Sequence, residues 1–131
     1  MSAAERCWVL TGRCDMDAWA WSLRREPESL TVGAPASVDA NWSWALDREE
    51  QSGDVAGFWH THPPGGGTAP SERDVQTMRA WCLAFGKPLL CVIADGRRRA
   101  AYVFESDASR GHRLGPLAWT GRDTARVKTR N

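Results

Sequence analysis

His60-Thr61-His62-Pro63, the run Pro64-Gly65-Gly66-Gly67-Thr68-Ala69-Pro70, and Ser71-Glu72-Arg73-Asp74 make up the stretch on which the reading of this chain turns. Before it, Val55 to Trp59 is short and apolar and reads as a strand that delivers both histidines. Pro63 to Pro70 is too rich in proline and glycine for regular structure and reads as an exposed loop. Ser71 is placed to cap a helix in which Val75, Met78, Cys82 and Phe85 share a face, and Gly86-Lys87-Pro88 stops it. Histidines at i and i+2 of a strand point to one side, so both imidazoles can reach one ion. The loop lets the chain turn back and bring Asp74, on the first turn of the helix, beside them. Two nitrogens and one oxygen leave a position of a tetrahedral zinc site open to water, which is the pattern of catalytic rather than structural zinc. Taken singly, each signal has a plainer reading. The histidine pair suits a surface or hydrogen-bonded core, Asp74 a capping-box residue, and Ser71 an ordinary N-cap. The ordered set is specific.

Working outward, Glu5 to Gly12 is a β-prone stretch closed by glycine, and Asp17 to Leu23 alternates Trp19, Trp21 and Leu23 with small residues, the period of a second strand. Glu26 to Pro35 reads as a connector holding at most a short strand around Leu30-Thr31-Val32. Ser37 is the cap-type residue ahead of a helix whose stripe is Val38, Trp42, Ala45 and Leu46, ending at Ser52-Gly53. After the metal motif, Leu89 to Ala94 is a continuous apolar strand, Asp95-Gly96 a hairpin turn, and Ala100 to Phe104 its partner. A last strand falls near Leu114 to Trp119. The order β-β-α-β-α-β-β-β gives an α/β class: a sheet with helices packed on it.

The chain has 131 residues, with 17 basic and 16 acidic side chains for a net charge of +1, which fits one domain and argues against recruitment by nucleic-acid phosphates or anionic lipid. The basic end, residues 122–131, is expected to be a flexible tail behind a domain of residues 1–121. No apolar run approaches the roughly 20 residues that cross a membrane, and no signal-peptide core opens the chain, so a cytoplasmic protein is expected. The cysteines Cys7, Cys14, Cys82 and Cys91 form no C-x-x-C pair, and Cys82 and Cys91 read as small buried hydrophobes. Eight tryptophans in so short a chain exceed what one core ordinarily holds, so some are candidates for surface anchors. His112, between Gly111 and Arg113, reads as a surface histidine without a role.

These motifs resemble the JAMM metalloproteases, also called JAB or MPN-plus domains, from Glu5 to about Phe104. The resemblance implies a mixed curved sheet of the MPN/JAB, cytidine-deaminase-like fold. It makes His60, His62 and Asp74 the zinc ligands and Ser71 the residue that supports the water and the oxyanion. The loop from His62 to Ser71 is slightly longer than the spacing commonest in the family, and Gly65-Gly66-Gly67 is where the excess is absorbed. The family's glutamate opens a strand of the form Glu-x-x-Gly-x-Leu-x-Gly. Glu5, Leu10 and Gly12 fit it, with Trp8 in place of the first glycine, so Glu5 is the general base. Glu26, beside Pro27, is the rival and reads better as a solvated loop carboxylate. Family members carry a helix before the glutamate strand that is missing here, so another element, a partner or several tryptophans must cover that face.

The implied activity is hydrolysis of peptide or isopeptide bonds at the C-terminus of ubiquitin or a ubiquitin-like protein. The tight Asp95-Gly96 turn leaves no room for the insertion by which relatives discriminate chain linkages. The chain is similar in this to bacterial JAB proteins that accompany ubiquitin-like proteins and activating (E1-like) or conjugating (E2-like) enzymes, some in antiphage defence. The same chemistry could release cysteine or another small group from a sulfur-carrier protein, or serve a phage-tail or general peptidase. A different class, a catalytically silent MPN scaffold, typically loses the ligand side chains retained here.

Overall fold

The computed structural model describes residues 4–33, 39–96, 98–105 and 111–129. In chain order the elements are β1 (Arg6–Asp15), β2 (Ala20–Arg25), a 3-10 turn (Pro27–Ser29), β3 (Thr31–Val32), α1 (Trp42–Ser52) and β4 (Val55–Thr61). Then come α2 (Glu72–Phe85), β5 (Leu89–Asp95), β6 (Arg98–Phe104), β7 (His112–Arg113), β8 (Leu117–Trp119) and β9 (Thr124–Lys128). Among the described residues all nine strands join one mixed sheet in the order β7-β6-β5-β4-β1-β2-β9-β8, with β3 also pairing β1. Among the described strands only β4 and β5 run parallel, joined by α2 as the crossover. Their continuous apolar sequences follow from this, because a parallel strand in mid-sheet is covered on both faces. Gly57 sits where β4 closes on β5: a Cβ there would collide with the Leu90 carbonyl, so no larger residue fits.

Strand alternation sorts the core into two layers. Val9, Phe58, Leu89, Cys91, Ile93 and Phe104 turn toward α1 and α2, where Met78, Trp81 and Cys82 meet them. The edge of the Trp42 ring meets Trp81 at a centroid distance of 4.4 Å, which ties the two helices together. Leu10, Trp59, Leu90, Val92, Leu114 and Val127 fill the other face. No helix covers that side among the described residues; the sheet curls over itself instead. The Leu114 amide donates to the Ala101 carbonyl of β6 at 2.8 Å, and the next amide, Gly115, donates to Lys128 of β9 at 3.1 Å. One short segment thus bridges the two arms of the sheet. Inside the curl, Trp119 lies 4.7 Å from Trp59, and the Arg25 guanidinium stacks 4.2 Å from Trp8 while bonding Asp123 at 3.3 Å. This face is therefore covered by β8, β9 and the tryptophans Trp8, Trp59 and Trp119.

Several expectations are corrected. The expected flexible tail of residues 122–131 is corrected over its described part, 122–129: Thr124–Lys128 is β9, paired to β2 and β8, with Ala125 and Val127 buried. Glu26 is not a solvated loop carboxylate; its side chain is 13% exposed and accepts a 2.6 Å hydrogen bond from Thr11. β2 starts at Ala20, because Trp19 adopts a left-handed turn conformation at φ 52° and stays half exposed. α1 starts at Trp42, with the Asn41 side chain accepting from the Trp44 amide, and Leu46 faces solvent. Ser37 and Val38 lie outside the described residues. The last strand region is divided into β7 and β8 by Leu114-Gly115-Pro116, and His112 is exposed on β7.

Candidate metal centre

The end of β4 supplies the histidines. Cys7 of β1 and Ile93 of β5 pair with His60 on either side, so the backbone that carries its ring is fixed from both flanks. Beyond the strand, His62 is still tied to β5 through its amide, which donates to the Ala94 carbonyl at 2.8 Å. The carboxylate comes from the first turn of α2. Ser71 Oγ accepts from the Asp74 amide at 3.1 Å, and Asp74 Oδ2 accepts from the Ser71 amide at 2.8 Å, a reciprocal capping box. This box aims Asp74 across the loop at the histidines.

Asp74 Oδ1 lies 3.4 Å from His60 Nε2, and Asp74 Oδ2 lies 3.1 Å from His62 Nε2. Bonds of about 2.0–2.1 Å to a tetrahedral zinc place neighbouring ligand atoms roughly 3.3 Å apart. The donor atoms of His60, His62 and Asp74 all fall within 4.8 Å of one another, so the three residues need only draw in slightly to hold one cation. Proton placement points the same way. His62 Nδ1 faces the Gly67 carbonyl at 2.9 Å while its Nε2 faces the Asp74 carboxylate. Two acceptors around one ring are satisfied by an imidazolium, or by a neutral ring with its proton on Nδ1 and a cation on Nε2.

The titration shifts express this geometry. His62 is raised above its ordinary value, chiefly by the Asp74 hydrogen bond. Burial alone would raise Asp74, but the His62 hydrogen bond, the His60 charge and the Ser71 amide together hold it at about 2. His60, deeper in the structure, is lowered from its ordinary value chiefly by burial, with the Asp74 charge opposing.

Glu5 precedes β1 and is 7% exposed; its carbonyl accepts from the Gly33 amide at 2.9 Å beyond β3. Its side chain lines the same cavity as His60, His62, Ser71 and Asp74, a space of about 280 Å³ between the sheet and α2. Burial raises its pKa above the ordinary carboxylate value, with Asp74 adding to the rise and His62 opposing it. Cys7 and Cys91 line the cavity too, but burial pushes Cys7 up to about 12 and Cys91 well above the usual thiol range. Neither offers a thiolate at neutral pH. Glu26, the rival to Glu5, lies apart from this cavity, bonded to Thr11 and Arg24. The residue that sequence reasoning missed is Asp95, read only as a turn former: its carboxylate accepts from the Gly65 and Gly67 amides at 2.8 Å each and so holds the loop behind His62.

No curated protein matches the chain in sequence. The family model described as prokaryotic homologs of the JAB domain matches residues 2–107, a span that takes in Glu5, both histidines, Ser71 and Asp74. With a mixed curled sheet, two helices and a His-His-Asp cluster at the end of the central parallel pair, the chain belongs to the prokaryotic JAB-domain family.

Proposed function

We propose that this protein is a zinc-dependent hydrolase, built on a cytidine-deaminase-like MPN fold, that cleaves peptide or isopeptide bonds at the C-terminus of ubiquitin or a ubiquitin-like protein. The observation that carries this reading is the convergence of His60, His62 and Asp74 on one point of a cavity that Glu5 and Ser71 also line. A cation held by His60 Nε2, His62 Nε2 and the Asp74 carboxylate supplies Lewis-acid chemistry, acidifying water and polarising a carbonyl. Glu5 accepts the proton of the attacking water. Glu5, its pKa raised by burial above the ordinary carboxylate value, then returns that proton to the leaving amine. Ser71 Oγ already accepts from the Asp74 amide, and its O–H is the donor it offers to the oxyanion that forms at the cleaved carbonyl.

The substrate class is supported by family membership and by the architecture around the site. β3 is a two-residue strand beside Glu5, an edge on which an extended glycine-rich tail can be added as a strand. Asp95 pairs directly with Arg98 across the β5–β6 hairpin, which leaves no linkage-selecting insertion at that corner. We place the enzyme in the cytoplasm, where its four free cysteines suit a reducing environment. Ubiquitin-like proteins and their E1-like and E2-like enzymes are its expected partners.

The test is cleavage of a ubiquitin-like fusion by the wild type and by Glu5→Gln, with the zinc content of both measured. The wild type should bind one zinc and cleave. Glu5→Gln should keep the metal and lose on the order of 10²- to 10⁴-fold in rate. Equal cleavage would remove Glu5 from the mechanism, and a wild type without zinc would favour a binding scaffold.

A further inference from the structure

Asp95 closes β5 and is 6% exposed. A carboxylate so placed is costly unless it is paired. Among the described residues its hydrogen-bond partners lie outside its own hairpin, where the Arg98 charge also acts on it: Oδ1 accepts from the Gly65 amide and Oδ2 from the Gly67 amide, each at 2.8 Å, in the loop between His62 and α2. Both glycines have φ of 83°, a left-handed conformation that side chains resist, and the Gly66 amide between them closes a turn onto the Pro63 carbonyl at 2.8 Å. Backbone of this kind turns nearby N–H groups to one side, forming a concavity that holds an anion. The anion here is supplied by β5.

The loop passes the constraint on. The Gly67 carbonyl accepts from His62 Nδ1 at 2.9 Å, so the residue whose amide Asp95 grips is the residue that orients the histidine. The His62 amide is bonded to Ala94, the neighbour of Asp95. β5 therefore fixes His62 twice, once through the strand and once through the loop.

We propose that Asp95 is a positioning residue of the metal centre: by clamping the Gly65 and Gly67 amides it holds the Gly67 carbonyl that keeps the His62 proton on Nδ1 and leaves Nε2 for the cation. This rests on the reading of His60, His62 and Asp74 as a metal site. Loss of the outer partner of a ligating histidine typically weakens metal binding by about 10- to 100-fold. Asp95→Ala should fall in that range, and Asp95→Asn, which keeps one acceptor oxygen, should lie between it and the wild type.

Zinc affinity measured by chelator competition on the wild type, Asp95→Asn, Asp95→Ala and the hairpin control Arg98→Ala tests the ranking. Heteronuclear NMR of the His62 ring in the metal-free proteins tests the link itself. The Nδ1 proton should exchange slowly in the wild type and in Arg98→Ala, and quickly once Asp95 is replaced. A lowered melting temperature in Asp95→Ala with zinc affinity and the Nδ1 proton unchanged would overturn the proposal, since Asp95 would then serve the hairpin alone. Should Asp95→Ala not fold, the Asn variant decides by the same two readouts. A wild type that binds no zinc would count against the metal site, and the ring spectra would still decide whether Asp95 holds His62.

Discussion

At the scale of single residues, His62 and Asp74 stabilise one another with opposite dependence on pH. Asp74 has a folded pKa of about 2 against an ordinary 3.8, so its contribution is complete above 3.8 and disappears as the pH falls through about 2. At 1.36 kcal/mol per unit, that contribution is about 2 kcal/mol. His62 is shifted upward, so its share is present below its ordinary 6.5 and is lost as the pH rises through the folded value. Chelator-treated protein should therefore lose stability between about pH 4 and 2, and Asp74→Asn should lose less across that window, keeping only the slope that the other lowered carboxylates, Asp54 and Asp95, contribute. Urea titrations at several pH values measure this, and an equal slope in both proteins would dismiss the pairing. Zinc binding should strengthen as the pH rises past the His62 titration, because metal and proton compete for Nε2. These side chains were legible in the sequence because strand, loop and helix N-terminus are contiguous and each imposes its own residue types. Asp95 was not, since its contact depends on β5 lying parallel to β4, and Asp-Gly is by itself an adequate turn signal.

At the scale of elements, α2 serves the site because its first turn is closed by the side chains that serve the metal. Ser71→Ala removes the acceptor for the Asp74 amide and should cost about 1 kcal/mol in urea denaturation, separately from any loss of rate. An unchanged midpoint would show that the capping box contributes nothing. Both ends of α2 were legible, Ser71 at the start and Gly86 with its left-handed φ of 69° at the end. The start of α1 was not: Ser37 and Asn41 are both cap-type residues, and no local feature chooses between them. What chooses is tertiary, the packing of Trp42 against Trp81 and Phe58, which makes Trp42 the first helical residue. The start of β2 moved for a similar reason. Trp19, Trp21 and Leu23 show a perfect alternation, but the reversal from β1 takes Trp19 into the turn.

At the scale of the whole molecule, the C-terminal strand decides whether the curl holds. Thr124-Ala125-Arg126-Val127-Lys128 carries only two apolar residues, so in sequence its charges outweigh its alternation, whereas in the fold Ala125 is 3% exposed and Val127 fully buried. β9 links β2 to β8, and β8 in turn places Trp119 against Trp59. Removing residues 122–131 would uncover Leu23, Trp21 and Leu117 and release the Asp123 partner of Arg25 from beneath its three tryptophans. Each large apolar side chain returned to water costs about 1.5–3 kcal/mol, and several together match the roughly 5–15 kcal/mol that hold a domain of this kind folded. The chain cut at residue 121 should therefore lose its cooperative melt and show red-shifted tryptophan emission. In the full-length chain, Val127→Asp should reproduce the effect while Arg126→Ala, on the exposed side of the same strand, leaves the melt within about 0.5 kcal/mol of the wild type. A truncated chain that melts cooperatively at the wild-type temperature would show that β1, β4 and β5 hold the metal cluster without the curl, and that the second face is an addition to the domain rather than half of its core.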